Sequence, residues 1–177
     1  MSQMESLYQV LRPLATQPEC QSCRLCEEHV GLVYLLGDEA VKANEHSLPI
    51  ITSSQGVQYL SRTRDGWCSS FDPNTNMCRM YADRPLCCRL YPLDLMQLEG
   101  AVWWVIHAEC PIAQRFQKER RLAVLAAITD ALERALSKEQ LNRWLIQDKM
   151  SRGIESFSYD ISKVIKLRRF GSPRAFP

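Results

Sequence analysis

The spacing of eight cysteines constrains this chain more than any other feature of its sequence. Cys20, Cys23 and Cys26 lie within seven residues, and Cys87 is adjacent to Cys88. Neither spacing favours simple structural disulfides. A dense set of reduced thiols is more often metal-binding or catalytic than cross-linked. We therefore interpret the cysteines as thiolate ligands of a metal centre. The candidate ligands are Cys20, Cys23, Cys26, Cys68, Cys78, Cys87, Cys88 and Cys110.

The N-terminal sequence bears on whether these thiols stay reduced. The first fifteen residues contain an early acid, Glu5, and lack a basic start, a long apolar stretch and a small-residue cleavage pattern, so they do not resemble a secretory signal. No later segment approaches the unbroken apolar length of a membrane helix. We expect a cytoplasmic protein without a membrane span. In the reducing cytoplasm its thiols remain available to bind metal.

The length and hydrophobic content of the chain allow one core. With 177 residues, of which 46% are hydrophobic, the chain can bury one sizeable core but is too short for two well-packed domains. We predict an α+β fold: a small irregular cysteine-rich metal-binding core with short β-hairpins, an N-terminal helix and a C-terminal helical extension. The predicted metal-binding domain covers residues 1–136, with its cysteine-rich core at 20–111. Residues 137–177 are predicted to form a C-terminal helix and a basic tail, packed on the same domain or trailing from it.

The first third of the chain alternates short apolar runs with turn residues. Apolar side chains at helical spacing predict a helix over residues 4–14. The run after Gly31 predicts a buried strand, and Asp38 is a candidate N-cap for a short helix. Residues 48–60 predict two strands around a Ser-Ser-Gln-Gly turn.

The middle of the chain predicts two hairpins separated by a helical turn. A Pro-Asn-Thr-Asn turn joins the first pair of strands, which we expect to bring Cys68 and Cys78 close together. The turn that follows Pro85 carries the two adjacent cysteines. The strands of the second hairpin are expected to meet at Glu99 and Gly100.

The last third is predicted to be helical, with a basic end. One long helix is expected over residues 112–136, and the Ser137/Gln140 pair is a capping box that begins a second helix. Past Met150 the periodicity fades, and we expect a poorly ordered end. This end is either solvated or able to contact RNA, DNA or an acidic protein. Its basic residues are Lys163, Lys166, Arg168, Arg169 and Arg174.

The cysteine spacing is compatible with more than one metal. The C-x-x-C-x-x-C run resembles cluster-binding ferredoxin loops, and Cys110-Pro111 supplies a distant Cys-Pro as a further ligand. Zinc would take four thiolates in a closed tetrahedral site, and two such sites could use all eight cysteines. An iron–sulfur cluster is preferred over zinc, and the grouping of the ligands stays open. Some cysteines, Cys87 above all, are alternatively buried small hydrophobes.

Two histidines and two arginines lie near the cysteines in sequence. His29 and His107 are three residues from a cysteine and are either ligands or hydrogen-bond donors to ligands, or ordinary part-buried histidines. Arg84 and Arg89 flank the adjacent cysteines, where they offset thiolate charge or hydrogen-bond the sulfurs of a cluster. Alternatively, Arg84 simply anchors the turn.

These motifs resemble the YkgJ-like cysteine-cluster family, the zinc- or iron-chelating CxxCxxCC domain, from about Cys20 to Cys110. The resemblance depends on three segments, which are CQSCRLCE, DGWCSSFDPNTNMCRMYADRPLCCRLYP and AECP. It implies that seven cysteines occupy the family's ligand positions, which are those of Cys20, Cys23, Cys26, Cys68, Cys78, Cys88 and Cys110.

The chain departs from the family pattern at one position. The final cysteine of the CxxCxxCC motif is Glu27 here, while Cys87 is an additional thiol before the family position at Cys88. Either Cys87 replaces the missing ligand, which keeps an all-sulfur set and is preferred, or Glu27 coordinates through oxygen.

The function beyond metal binding divides into classes. A redox or metal-handling protein requires a centre that changes oxidation state or exchanges metal. A structural zinc module, acting as a protein or nucleic-acid adaptor, requires only a stable site. Flagellin lysine methylases of the FliB type carry a similar cysteine cluster, so resemblance alone adds a lysine N-methylase-related activity. The sequence contains no nucleotide- or S-adenosylmethionine-binding motif and leaves open whether the chain is an enzyme.

Overall fold

The structure is a computed structural model with helices and small antiparallel sheets, so the predicted α+β class is confirmed. It describes residues 32–142 and 161–171 continuously, together with residues 11, 14, 23, 25–28, 144 and 145. The described helices are α1 (Leu25–Glu28), α2 (Glu39–Glu45), α3 (Leu86–Leu90), α4 (Pro111–Lys118) and α5 (Leu122–Ala135), with 3-10 turns at Tyr81–Asp83 and Ile161–Lys163. The strands are β1 (Tyr34–Leu35), β2 (Ile50–Thr52), β3 (Gln58–Leu60), β4 (Phe71–Asp72), β5 (Met77–Cys78), β6 (Leu93–Leu98), β7 (Ala101–His107) and β8 (Val164–Arg169).

The first sheet has the strand order β1-β3-β2, with both pairs antiparallel. Tyr59 in β3 lies opposite Tyr34 on one side and Ile51 on the other. The predicted strands on either side of the Ser-Ser-Gln-Gly turn are therefore confirmed. The predicted helix after Asp38 is α2, although Asp38 caps it without a side-chain hydrogen bond.

The first hairpin is formed by β4 and β5, and Phe71 lies opposite Cys78. The carboxylate of Asp72 closes the turn, because it accepts hydrogen bonds from the Asn74 N–H (2.9 Å) and the Thr75 hydroxyl (3.0 Å). Cys68 precedes β4 and forms an isolated bridge with Arg62. The hairpin is thus confirmed, but Cys68 lies outside its paired strands.

The largest sheet has the order β6-β7-β8. Glu99 (φ 51°) and Gly100 (φ 76°) both adopt left-handed conformations, which a two-residue hairpin turn requires, so the predicted second hairpin is confirmed. The indole of Trp104 is fully buried, whereas Trp103, on the other face of β7, is part-exposed. The third strand, β8, pairs with β7 and contains Arg168 and Arg169. The prediction of a poorly ordered basic end is wrong for these residues, because their backbone is hydrogen-bonded in a sheet.

The predicted single helix over residues 112–136 is also wrong, because the chain forms two helices, α4 and α5. Arg120 adopts a left-handed conformation (φ 55°) after α4. The Arg121 N–H donates to the Phe116 carbonyl (2.8 Å) and the Arg120 N–H to that of Gln117 (3.0 Å), which is the Schellman pattern of a helix end. Glycine usually occupies this position, so the arginine gives no sequence signal for the end of α4.

A third C-terminal helix begins after Ser137, as predicted. The Ser137 N–H donates to the Gln140 side-chain oxygen (2.8 Å), and the Gln140 N–H donates to the Ser137 hydroxyl (3.1 Å). This reciprocal pair is a capping box. Leu141 and Trp144 on this helix are buried, and the Trp144 ring contacts that of Trp104 edge to face at 6.2 Å.

Two hydrophobic clusters make up most of the core. The first joins Trp104 and the apolar faces of α4 and α5 with Leu11 and Leu14, which are helical and buried; the rest of the helix predicted over residues 4–14 lies outside the described residues. The second and smaller cluster lies beside the first sheet and includes Leu60 and Cys68. No helix that the structure describes combines the length and apolar character needed to cross a membrane.

Candidate metal centre

Seven of the eight predicted ligands fall in the described part of the chain. All seven carry their sulfur as a thiol rather than in a disulfide, as predicted. Cys20 lies outside the described residues, as do His29 and the side chain of Glu27, so the structure does not address the predictions made for them. The assignment of the cysteines as ligands stays a prediction.

The sulfurs of Cys68 and Cys78 meet at the hydroxyl of Ser70. Cys68 Sγ lies 3.0 Å from Ser70 Oγ, and the Cys78 thiol donates to the same oxygen at 3.4 Å. Cys68 and Ser70 are buried and Cys78 is part-buried. The hairpin therefore brings these two cysteines together, as the sequence predicts, but through a shared serine.

The other pair of sulfurs lies on α3. Cys87 Sγ and Cys88 Sγ are 4.0 Å apart, and the Cys87 thiol donates to the Tyr34 carbonyl at 3.5 Å. Both cysteines pack against the same hydrophobic cluster as Cys68 and Cys78, and Cys87 packs against the larger cluster as well. Four cysteines from two elements thus surround one small apolar region.

A buried carboxylate positions α3. Glu39 is 3% exposed, and its two oxygens accept the N–H groups of Leu36 and Leu86, both at 2.7 Å. Leu86 is the first residue of α3 and immediately precedes Cys87. Glu39 therefore attaches the cysteine-bearing helix to the segment between β1 and α2. Local sequence gives no signal for this contact, because the two residues are 47 positions apart.

The two arginines beside the cysteine pair hold the turn. Arg84 is buried, its Nε donates to the Tyr81 carbonyl (3.1 Å), and its guanidinium lies over the Tyr81 ring at 3.9 Å. Arg89 donates from Nε to the Arg84 carbonyl at 2.7 Å and also donates to the Ala82 carbonyl. These contacts support the alternative in which the arginines anchor the turn.

The remaining described cysteines act electrostatically on Tyr91. Burial raises the pKa of the Tyr91 phenol, and the negative charges of Cys110, Cys26 and Cys23 raise it further, in that order, followed by Glu109. These three sulfurs therefore lie close enough to the Tyr91 hydroxyl for their charges to act on it. The cysteines come from the N-terminal motif and from the start of α4, so charges from distant parts of the sequence act on one phenol.

His107 lies against this tyrosine and is linked to Asp94 and Trp144. The ring of His107 stacks on that of Tyr91 at 5.1 Å, and its Nε2 lies 3.3 Å from Asp94 Oδ2. The other oxygen of Asp94 accepts the indole N–H of Trp144 at 3.0 Å. His107 is thus held by a carboxylate and an aromatic ring, which supports the alternative of a histidine with a packing role.

The geometry places sulfurs in pairs. No three His, Cys, Asp or Glu side chains among the described residues lie close enough together to hold a metal ion. The chemistry of the donors nevertheless fits, because thiolates are preferred ligands of zinc and iron–sulfur clusters. With Zn–S bonds of about 2.3 Å, tetrahedral ligands are about 3.8 Å apart, so the 4.0 Å between Cys87 and Cys88 suits two ligands of one ion. Completing a site requires χ1 rotation of neighbouring cysteines or a ligand outside the described part.

Comparisons with known proteins identify the cysteine-rich region. A model of the CxxCxxCC family, which is described as a "putative zinc- or iron-chelating domain", matches residues 19–119. This range contains all eight cysteines and extends through α4. Searches of the curated proteins and of the solved structures found no match.

Proposed function

Because the chain belongs to the CxxCxxCC family of zinc- or iron-chelating domains, we propose that it binds metal through two neighbouring groups of thiolates. We define the hairpin group as Cys68, Cys78, Cys87 and Cys88. We define the Tyr91 group as Cys23, Cys26 and Cys110, and we assign Cys20 to it on its spacing in the C-x-x-C-x-x-C run.

The observation that carries this proposal is the convergence of sulfurs from distant segments. Cys68 and Cys78 share the Ser70 hydroxyl, and Cys87 and Cys88 contact the same hydrophobic cluster. A buried thiol that serves only as a small hydrophobe needs no other sulfur nearby. Four cysteines around one apolar region are better explained as ligands. Cys68 precedes β4, Cys78 lies in β5, and Cys87 and Cys88 lie in α3.

The metal proposed for each group depends on how its cysteines are spaced, in sequence for the Tyr91 group and in space for the hairpin group. The Tyr91 group contains the C-x-x-C-x-x-C run and the distant Cys110-Pro111, so we propose that it holds an iron–sulfur cluster. The short Cys87–Cys88 distance favours a single ion at the hairpin group, because thiolates of a four-iron cluster each bind a different iron. Zinc at both groups is the second candidate.

A bound metal would supply either electron transfer or a structural cross-link. The residues around the sulfurs determine which of the two roles the site favours. The surroundings of the sulfurs are largely apolar, with Cys68 and Cys110 buried and the other described cysteines part-buried, and burial keeps the Tyr91 phenol neutral. We propose a redox or metal-handling role on these grounds, and a cytoplasmic location because thiols stay reduced there.

An adaptor for a protein or nucleic acid is the alternative function, and the pairing of the basic residues weakens its nucleic-acid form. Lys163 is ion-paired with Glu109 at 2.5 Å and Lys166 with Glu99 at 2.7 Å. A lysine N-methylase-related activity stays a further alternative that depends on the resemblance to FliB-type enzymes alone.

Anaerobic purification of the full chain, followed by elemental analysis and a visible absorption spectrum, tests the proposal. We expect iron with labile sulfide, and a charge-transfer absorption that decreases when Cys23 and Cys26 are both replaced by Ser. Colourless protein with stoichiometric zinc would support the structural alternative. Protein that binds neither metal after anaerobic reconstitution would contradict both functions.

A further inference from the structure

Ser70 is a buried hydroxyl in contact with two predicted ligands. It is 3% exposed, and its Oγ lies 3.0 Å from Cys68 Sγ and 3.4 Å from Cys78 Sγ. The two cysteines lie on either side of it in sequence, at positions −2 and +8. Burying a hydroxyl is unfavourable unless it is hydrogen-bonded, and the partners of the Ser70 hydroxyl are these two sulfurs.

The backbone around this hydroxyl is fixed by the hairpin. The Arg79 N–H donates to the Ser70 carbonyl at 2.7 Å, and the Arg79 guanidinium donates to the Ser69 carbonyl. Cys78 immediately precedes Arg79, so the same contacts hold both sulfurs in position around the serine. The backbone position from which the hydroxyl projects is thus fixed by these contacts.

We propose that Ser70 is a positioning residue of the hairpin group, donating its O–H to a ligand thiolate when metal is bound. The inference rests on the function proposed above. A metal displaces the thiol protons, so Cys68 and Cys78 become acceptors only and the Ser70 O–H becomes the donor between them. Hydrogen bonds to ligand sulfur withdraw electron density and tune the metal centre.

Ser69 supplies a matched control. It is buried to a similar degree, at 6% exposed, and its hydroxyl has no hydrogen-bond partner among the described residues. The two adjacent serines therefore differ in the property that matters, which is contact with sulfur. Replacing Ser69 removes a buried hydroxyl without removing a donor to a ligand.

The test is an anaerobic Co²⁺ titration of the metal-free full chain. Binding is monitored through the thiolate-to-cobalt charge-transfer absorption. The signal of the hairpin group is the part that a Cys68→Ser/Cys78→Ser variant loses. The variants compared are Ser70→Ala and Ser69→Ala, together with Ser70→Thr and Ser70→Val, which add similar bulk and differ in the hydroxyl.

We expect Ser70→Ala and Ser70→Val to shift the hairpin-group band to longer wavelength and to weaken Co²⁺ binding by about 10-fold or more. The shift follows because a thiolate that loses a hydrogen bond donates charge more readily. Ser69→Ala and Ser70→Thr should match the wild type. An unchanged band and affinity in Ser70→Ala and Ser70→Val would overturn the role of Ser70 while leaving metal binding intact. The lack of any charge-transfer band in the wild type would overturn the proposed function and this inference together.

Discussion

Cys87 lies where the two hydrophobic clusters meet, and this position bears on the missing family ligand. Its sulfur is 4.0 Å from that of Cys88, whereas Glu27 belongs to the N-terminal motif. If Cys87 replaces the absent cysteine, it does so next to Cys88, in the hairpin group.

We expect Cys87→Ser to reduce the metal bound per chain, because a serine hydroxyl is a far weaker ligand for zinc or iron than a thiolate. Elemental analysis of protein reconstituted without oxygen measures the effect, and Glu27→Gln, which should keep its full metal content, is the control. Full metal content in Cys87→Ser combined with a loss in Glu27→Gln would instead assign the ligand to the carboxylate.

Tyr91 predicts how the stability of the metal-free protein depends on pH. Its pKa is raised in the folded protein, chiefly by burial, so folding favours the neutral phenol. This contribution is complete below the unfolded pKa of about 10 and is lost as the pH rises towards the folded pKa. Above pH 10 the free energy of unfolding should fall by at most about 1.4 kcal/mol per pH unit from this group.

Chemical denaturation of wild type and Tyr91→Phe between pH 8 and about 11 isolates this effect, since both proteins share every other titrating group. The difference in unfolding free energy should be constant up to about pH 10 and then change in favour of Tyr91→Phe. A difference that stays constant over the whole range would show that Tyr91 ionises as readily in the folded state as in the unfolded state.

Helix α3 depends on one side chain from another element. Glu39 accepts the N–H groups of Leu36 and Leu86, and burial of these groups makes each hydrogen bond costly to lose. In Glu39→Gln, one carboxylate oxygen becomes an NH₂ group that faces an N–H donor. We expect a loss of about 1–3 kcal/mol in unfolding free energy and weaker metal binding at the hairpin group, because α3 carries Cys87 and Cys88.

Thermal unfolding and metal titration measure the two consequences separately. The control is Glu45→Gln, because Glu45 lies on α2 like Glu39. Glu45 is exposed and pairs with Lys42, so losing its charge should change stability little. If Glu39→Gln lowers stability while metal affinity and spectrum stay unchanged, the carboxylate supports the fold but does not position the cysteines.

The elements that were predicted correctly are those that neighbouring residues specify. Both hairpins were predictable, because Pro-Asn-Thr-Asn and Glu-Gly are turn sequences between apolar runs, and the capping box at Ser137 fixed the start of its helix. The end of α4 was not predictable, because Arg120 adopts a conformation that usually selects glycine. Strand β8 was missed because its pairing depends on β7, about 60 residues earlier in the chain.

The same distinction holds for the candidate site. The cysteines were apparent from their spacing, whereas Ser70 and Glu39 act through contacts that only the folded chain creates. A serine near a cysteine in sequence is a weak signal, since Ser69 is directly adjacent to Cys68 and yet its hydroxyl makes no hydrogen bond among the described residues.

At the scale of the whole molecule, the C-terminal segment connects to the cysteine-bearing region through β8. We propose that residues 137–177 fold together with residues 1–136, since β8 forms a sheet with β6 and β7. Its attachment to α5 depends on Arg168, whose Nη2 lies 2.5 Å from Glu133 and 2.9 Å from Asp130. Its Nε donates to the Thr129 hydroxyl at 2.9 Å, and the Arg168 side chain is only 10% exposed.

Arg168→Ala should therefore destabilise the entire protein rather than release a tail. The substitution leaves two carboxylates, 11% and 17% exposed, without their cation, and breaking a buried ion pair in this way costs about 3–5 kcal/mol. Arg169→Ala, which changes an exposed residue on the other face of β8, is the control and should have little effect. Urea unfolding followed by tryptophan fluorescence measures both variants. Trp104 reports on this region, because it belongs to the core and lies opposite Arg168 across β7 and β8. If β8 is integral to the fold, Arg168→Ala shows one cooperative transition at lower urea concentration. A separate early transition, with the main one unmoved, would mean that the C-terminal segment unfolds independently of the cysteine-bearing region.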